Sequence, residues 1–287
     1  MPDRGAFRYR TIMPVESSQQ DRNFDDLAGR FSRNIYGGLK GQIRLAVLAR
    51  DFAEFLPVAP YVPLTPDKTL NILDAGGGQG QFSLPLAAAG HTLTLCDISA
   101  KMLKIAEQQA AVLGAGGRVQ LLQCPAQAVA EHLPDATAPF GLVICHAVIE
   151  WVVEPFALLD HLLTLLRSGG HLSLIFYNKH GLVYKNLLRT NYKKIKSDDY
   201  RPHRGSLTPI NPTTPEALLQ YAASRELDVL CHSGIRVFYD YILDPEQRRR
   251  EEATVLELEQ KLSRQQPYRD LGRYVHLLLQ KPFSSAP

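Results

Sequence analysis

The segment Asn71-Ile72-Leu73-Asp74-Ala75-Gly76-Gly77-Gly78-Gln79-Gly80-Gln81 constrains this chain more than any other. An apolar run ends in an acid and passes into four glycines within five positions. Without side chains in the way, the backbone can approach a ligand closely at the start of a helix, where amide groups point outward. A strand, glycine loop and helix in this order belong at the carboxyl edge of a parallel sheet, which commits the chain to an α/β fold holding a nucleoside-bearing ligand. The spacing narrows the ligand. Gly76, Gly78 and Gly80 run as Gly-x-Gly-x-Gly, and Gln81 stands where a dinucleotide fingerprint needs its third glycine, which speaks against a nicotinamide dinucleotide. Asp97 closes the next apolar run, 23 residues after Asp74. A carboxylate there can accept both hydrogen bonds of a ribose diol; its competing role is the N-cap of a helix starting near Ser99.

The surrounding pattern predicts five strands, Leu70–Ala75, Thr92–Asp97, Val119–Cys124, Leu142–His146 and His171–Tyr177, separated by amphipathic helical stretches. Continuous apolar strands alternating with such helices predict a parallel sheet covered on both faces. Gly169-Gly170 is expected to cap the helix that precedes the fifth strand. From Asn178 to about Asn211 regularity lapses, and beyond it a helix at Thr214–Arg225, a strand near Asp228–Tyr239, a charged helix Glu246–Arg264 and a strand Gly272–Gln280 are expected. Upstream, apolar steps of three and four residues give helical Asp21–Leu56, with Gly37, Gly38 and Gly41 read as a joint between two helices. The division that results is a tail 1–20, a helical cap 21–56, a main domain 57–282 with an insertion 179–211, and a tail 283–287.

Composition excludes several alternatives. With 45% of its 287 residues hydrophobic, the chain builds a core and is not disordered. Cys96, Cys124, Cys145 and Cys231 show no paired spacing, so neither a disulfide framework nor a metal site is expected, and the compartment is read as reducing and cytoplasmic. No apolar run reaches the roughly 20 residues of a membrane span. The net charge of +3 hides an uneven spread, since Lys179–Arg204 holds eight cations against two acids and the remainder sums to −3. Lys179, Lys185, Arg189, Lys193, Lys194 and Lys196, interleaved with Tyr184, Tyr192 and Tyr200, form a basic aromatic stretch suited to phosphate contact and base stacking. The solvated loop is the alternative reading.

On the substrate side, the run Leu142–His146 leads through Ala147-Val148-Ile149-Glu150-Trp151, and His146 is open to three roles: base, ligand contact or core histidine. No Ser-His-Asp, paired-carboxylate or metal-ligand cluster is visible.

The pattern strand–DAGGGQG–helix–strand–Asp, over residues 70–177, resembles the class I S-adenosyl-L-methionine-dependent methyltransferases. That resemblance implies a Rossmann-like, mostly parallel seven-stranded sheet with an antiparallel last strand and helices on both faces. It also implies Asp74, Gly76, Gly77 and Gly78 around the methionine moiety, Asp97 on the ribose, and Pro125-Ala126-Gln127 near the adenine. DRNFDDLAGRFSRNIYG, KGQIR, LDAGGGQGQ, CDIS, FGLVICHAVIEWV, FYNKHGL, GIRVFYDY and PYRDLGRYVH together are similar to the bacterial tRNA 5-carboxymethoxyuridine methyltransferases, from Asp21 to about Pro282. In that family the wobble carboxylate becomes a methyl ester. The resemblance places cofactor contacts on Arg44, Gly76, Gly77, Asp97, Ala126, Gln127 and His146, with the tRNA anticodon stem-loop as partner. A carboxylate nucleophile, with a pKa of about 4, is already ionised at neutral pH and needs no base. It needs holding, for which Tyr177, Arg236 and Tyr239 are the expected groups, by their position in or after the late strands. A small-molecule carboxyl methyltransferase and a non-catalytic RNA-binding module on the same fold are the competing readings.

Overall fold

The computed structural model describes residues 38–56, 58, 60, 69–135, 137–200 and 209–283. Its centre is one sheet of seven strands: β1 Asn71–Ala75, β2 Thr92–Asp97, β3 Val119–Gln123, β4 Phe140–His146, β5 Leu166–Tyr177, β6 Asp228–Ile235 and β7 Tyr274–Gln280. The order is β3-β2-β1-β4-β5-β7-β6. The first five strands pair in parallel, and β7 runs antiparallel to both β5 and β6. The expected seven-stranded, mostly parallel sheet with an antiparallel last strand is what the chain forms.

Alternation along buried strands divides the core in two. In β4, Leu142 and Ile144 face one cluster while Val143 and Cys145 face the other. The first cluster is closed by helix α1 (Leu39–Phe55), which contributes Leu39, Ile43, Val47 and Phe52 at steps of four and five residues, and by α2 (Leu84–Ala88) and α3 (Ala100–Val112). The second is closed by α4 (Pro155–Leu165) and α7 (Pro215–Ser224). Helix α8 (Glu252–Leu262) packs beside α1. All four cysteines are buried.

Several boundaries differ from expectation. Gly41 is not part of a joint but lies inside α1, which begins after Gly38; the first of the two expected cap helices, with Gly37 and the tail 1–20, lies outside the described residues. The helix before β5 stops at Leu165, and Gly169, at φ 67°, sits within the strand, its N–H donating to the Lys281 carbonyl at 3.1 Å. Strand β6 ends at Ile235, not Tyr239. The buried Glu259 carboxylate accepts the main-chain N–H groups of Val237, Phe238 and Tyr239 at 2.7, 3.1 and 2.7 Å, so those donors are taken before another strand can use them. The stretch after Asn178 is not irregular: it forms α5 (Lys179–Leu188) and α6 (Tyr192–Lys196), with the Asn178 side chain accepting from His180 N–H to start the first. Of the charged helix expected at Glu246–Arg264, only α8 is α-helical.

Candidate active site

The loops that leave β1 to β4 line a cleft at the carboxyl edge of the sheet. The glycine loop forms its floor. Gly76, Gly78 and Gly80 all have φ between 59° and 71°, a left-handed region that costs other residues about 1–2 kcal/mol, and this is why the glycines alternate. A Cβ at Gly76 would also lie 2.7 Å from Val148 Cγ2, whereas at Gly78 it would project into near-open space, 3.9 Å from Asp97. Backbone therefore lies bare where a ligand would rest.

Asp97 anchors that loop from below. Its Oδ2 accepts from Gly78 N–H at 2.9 Å and its Oδ1 from Ser99 N–H at 2.8 Å. The capping role falls to Ser99, whose hydroxyl accepts from Met102 N–H, so Asp97 is not the N-cap. Eight of the residues expected to meet a cofactor line this one cleft: Arg44, Gly76, Gly77, Gly78, Asp97, Ala126, Gln127 and His146. Asp74 stands one layer back. It accepts from the Ser83 hydroxyl at 2.5 Å, and burial, opposed by that bond and aided by Asp97, pushes its carboxyl up to about 7. A Cβ on Gly77 would meet the Asp74 carboxylate at 2.5 Å, so the acid braces the loop without lining the cleft. Ile98, Met102 and Trp151 supply apolar walls that sequence reasoning did not single out. At the far end His146 is neutral at ordinary pH, because burial, with His276 and Arg44 nearby, pulls its pKa well down.

Next to the cleft lies a cluster of cations. Arg44 stacks on the Tyr274 ring at 4.6 Å, and Arg236 stacks on the same ring at 5.2 Å, so one aromatic ring separates cleft from cluster. Lys40, Lys185, Arg236 and Arg273 act together on a single acid, Asp240. Burial raises that acid's pKa, but the four cations outweigh it and hold the carboxyl at about 2. Burial lowers Lys185 to about 8 and lowers Lys40 as well. Four cations against one acid leave an excess of positive charge. The Tyr177 hydroxyl and Arg273 Nη1 are both buried with no acceptor, and the Arg273 guanidinium lies 4.5 Å from the Tyr177 ring. These donors ask for an anionic ligand.

Of the three groups expected to hold a substrate carboxylate, Tyr177 and Arg236 fall in this cluster. Tyr239 lies at its edge, in a 3-10 turn: its ring faces the Arg248 guanidinium at 5.6 Å, and Asp240 and Arg236 both act on its hydroxyl. Lys40, Arg273 and Tyr274 were not anticipated, although KGQIR and DLGRYVH carry them.

The basic stretch divides by role. Lys179 is paired with Asp198 at 2.8 Å. Lys185 points toward the cluster, and with Arg189, Lys194 and Arg273 it lines a second cavity of about 530 Å³. Lys193 and Lys196 are exposed, as is Tyr192 at 56%, while Tyr200 is buried and not free to stack on a base. Arg201 and Arg204 lie outside the described residues.

Comparisons with known proteins agree with this geometry. Residues 73–174 match the family model described as a methyltransferase domain. Over 265 residues the chain is 41% identical to the tRNA 5-carboxymethoxyuridine methyltransferase of Escherichia coli strain K12, covering 92% of this chain and 98% of that protein. Among solved structures, magnesium protoporphyrin IX methyltransferase from Synechocystis PCC 6803 with bound SAH superposes with TM-score 0.54 at 19% identity, covering 90% of this chain and 96% of that one. The putative methyltransferase in complex with the Haloferax volcanii Trm112 activator gives TM-score 0.55 at 14% identity, covering 92% and 98%. At such identities these structures bear on the fold alone.

Proposed function

The chain belongs to the tRNA 5-carboxymethoxyuridine methyltransferase family, and from that premise we propose that its cation cluster holds the carboxylate of the modified wobble uridine while a methyl group is transferred to it. The protein is an S-adenosyl-L-methionine-dependent tRNA methyltransferase. The cleft fits that cofactor: bare backbone at Gly76–Gly78, a strand-end carboxylate at Asp97 and an apolar wall at Ile98 and Met102. Strand order then sets its direction. Along the cleft from β3 to β4, Ala126 and Gln127 would hold the adenine, Asp97 the ribose diol, and Gly76, Arg44 and His146 the methionine end, an assignment that the order of these lining residues supports. When bound there, the cofactor would supply an electrophilic methyl on a sulfonium, to be passed to a carboxylate oxygen as the methyl ester with S-adenosylhomocysteine left behind.

The residues of this chain therefore position; they move no proton. Arg236, Arg273, Lys185 and Lys40 hold the substrate carboxylate, with Tyr177 O–H donating to it. Arg44, shared between cleft and cluster through Tyr274, orients both ends of the reaction. On the outer side of the second cavity, Arg189 and Lys194 take a backbone phosphate of the anticodon stem-loop, and exposed Lys193 and Lys196 add to its approach. A cytoplasmic setting agrees with a tRNA substrate and with no helix among the described residues being long and apolar enough to cross a membrane.

The observation that carries this reading is the pair of buried, unpartnered donors, Tyr177 O–H and Arg273 Nη1, in a cluster of net positive charge. The test is mass spectrometry of tRNA nucleosides from cells lacking the protein. Accumulation of the free carboxymethoxy acid, reversed by adding back the gene, is the expected result; an unchanged nucleoside profile would sink the reading.

A further inference from the structure

A buried chain of hydrogen bonds runs from helix α1 through the sheet to the cleft, and none of its inner members touches the cleft itself. Asp51 Oδ2 is 2.8 Å from His276 Nδ1. His276 Nε2 is 3.0 Å from Ser173 Oγ, which in turn is 2.7 Å from Nε2 of His146. Asp51, Ser173 and His276 are each fully buried. The first step is held from outside the sheet, since Arg50 and Arg264 both donate to Asp51 Oδ1, at 2.7 and 2.6 Å. Neighbouring charges and the bond to His276 overcome burial and hold the Asp51 carboxyl far below the usual range. It is ionised and can only accept.

That fact, together with a single proton on His276, orders the donors along the chain. Asp51 accepts from His276 Nδ1–H. With one proton on the His276 ring, held on Nδ1 by Asp51, its Nε2 carries a lone pair. Ser173 O–H must donate to that lone pair, and Ser173 Oγ must then accept from His146 Nε2–H. Neutral His146 is left with a bare lone pair on Nδ1, the ring nitrogen on the cleft side. We propose that Asp51, His276 and Ser173 are positioning residues that lock His146 in its Nε2–H tautomer, so that Nδ1 accepts a hydrogen bond from the amino group at the methionine end of the cofactor. The placement of that amino group rests on the cofactor reading given above; the tautomer does not. Arg44, at the same end of the cleft, is a donor only and takes the carboxylate of the same amino-acid moiety. The pair then discriminates an amino acid from other short chains, one side chain accepting and the other donating.

The same groups invite a different assignment, because Asp51, Cys231 and His276 bring one donor atom each within 4.8 Å of one another. Two guanidinium groups on Asp51 oppose a cation there, and both nitrogens of His276 are already engaged. The hydrogen-bonded chain is the stronger use of these residues.

The experiment uses the full-length protein labelled with ¹⁵N-histidine. Long-range ¹H–¹⁵N correlation of the imidazoles, without ligand, should show His146 fixed as Nε2–H; an Nδ1–H form, or an averaged signal, overturns the assignment. Ser173→Ala removes the link with little change of volume, and the His146 signal should become averaged. Calorimetry then compares S-adenosylhomocysteine with 5′-methylthioadenosine, which lacks the amino-acid end. Ser173→Ala should weaken the first about three- to tenfold, the worth of one hydrogen bond, and leave the second unchanged. Equal losses on both ligands, or no loss on either, overturn the positioning role. Should the wild type bind neither ligand while His146 remains Nε2–H, the cofactor reading falls and the tautomer stands.

Discussion

Lys185→Met separates the cation cluster from its surroundings most sharply. The ammonium is partly buried, and burial against Arg273, Arg189 and Arg236, opposed only by Asp240, lowers it to about 8. Lys185 is thus charged at pH 7 at a cost to the folded state. The sign follows from proton counting. The unfolded chain, with a lysine pKa of about 10.4, binds more protons between pH 8 and 10 than the folded one, so for this group stability rises with pH across that window. Replacing the ammonium by a thioether of similar length should raise Tm at pH 7. In catalysis the same change removes one of four cations facing the substrate carboxylate. A charge-assisted hydrogen bond is worth about 1.5–3 kcal/mol, and sharing with Asp240 puts Lys185 at the lower end, so kcat/KM should fall about tenfold. The wild-type rate should also decline above pH 8 as the ammonium deprotonates, and the variant should lack that limb. Binding of tRNA carrying 5-methoxyuridine, which has no carboxylate, distinguishes this role from a phosphate contact, because the variant should bind it as the wild type does. A lowered Tm with unchanged kcat/KM, an alkaline limb that survives the substitution, or equal weakening on both tRNAs would refute the reasoning.

Three further outcomes follow from the site. Lys194→Ala, on the rim of the second cavity, should weaken binding to any tRNA and reduce the slope of log K against log salt by about one; filter binding across a salt series reads it, and an unchanged slope removes Lys194 from the phosphate contacts. Asp97→Ala removes the carboxylate proposed to hold the ribose diol and loosens the glycine loop at Gly78, so affinity for S-adenosylhomocysteine should drop at least about a hundredfold by calorimetry; a loss under tenfold contradicts the ribose assignment. Gly80→Ala imposes a left-handed φ of 69° and puts a Cβ 2.7 Å from Leu84 Cγ and 2.9 Å from Leu95 Cδ1. Strain and overpacking together should cost about 2–4 kcal/mol in denaturant unfolding, and a variant as stable as the wild type would show the loop to be freer than this geometry.

What could be read from the sequence divides along a physical line. The cofactor end was legible because its residues follow one another: strand, glycines, helix, strand, acid, each determined by its neighbours. The order Gly76-x-Gly78-x-Gly80 even encodes the alternating left-handed backbone. The carboxylate end was only half legible. Tyr177 and Arg236 could be guessed from strand ends, but Lys40 and Arg273 meet only because α1 packs against β7 and Arg273 is the residue that leads into that strand, and no local period records that meeting. The strand expected to run to Tyr239 stops at Ile235, although VFYDY alternates like a strand. The alternation is broken by Glu259, twenty residues onward, which takes three amide donors and turns the Tyr239 ring toward Arg248. Ser173 and His276 gave no signal at all, since in a strand they read as ordinary core positions.

The distribution of charge ties these parts together. An oxygen nucleophile with its proton still attached would need a base close to the methyl donor, and the imidazole that lines the cleft among the described residues, His146, is a weak base because burial pulls its pKa well down. A carboxylate dispenses with the base but brings a full negative charge that must leave water before it reacts. The chain meets that cost with preset cations: Asp240 keeps four of them clustered in the absence of substrate, and a surplus remains for the incoming acid. Neutral uridines would enter the same cluster and leave Tyr177 O–H and Arg273 Nη1 buried without acceptors, a loss of about 1–3 kcal/mol for each. On the proposed function, selectivity for the acidic nucleoside rests on buried donors in a positive cluster that an anionic acceptor satisfies best, with the basic α5 and α6 offered to the phosphate backbone.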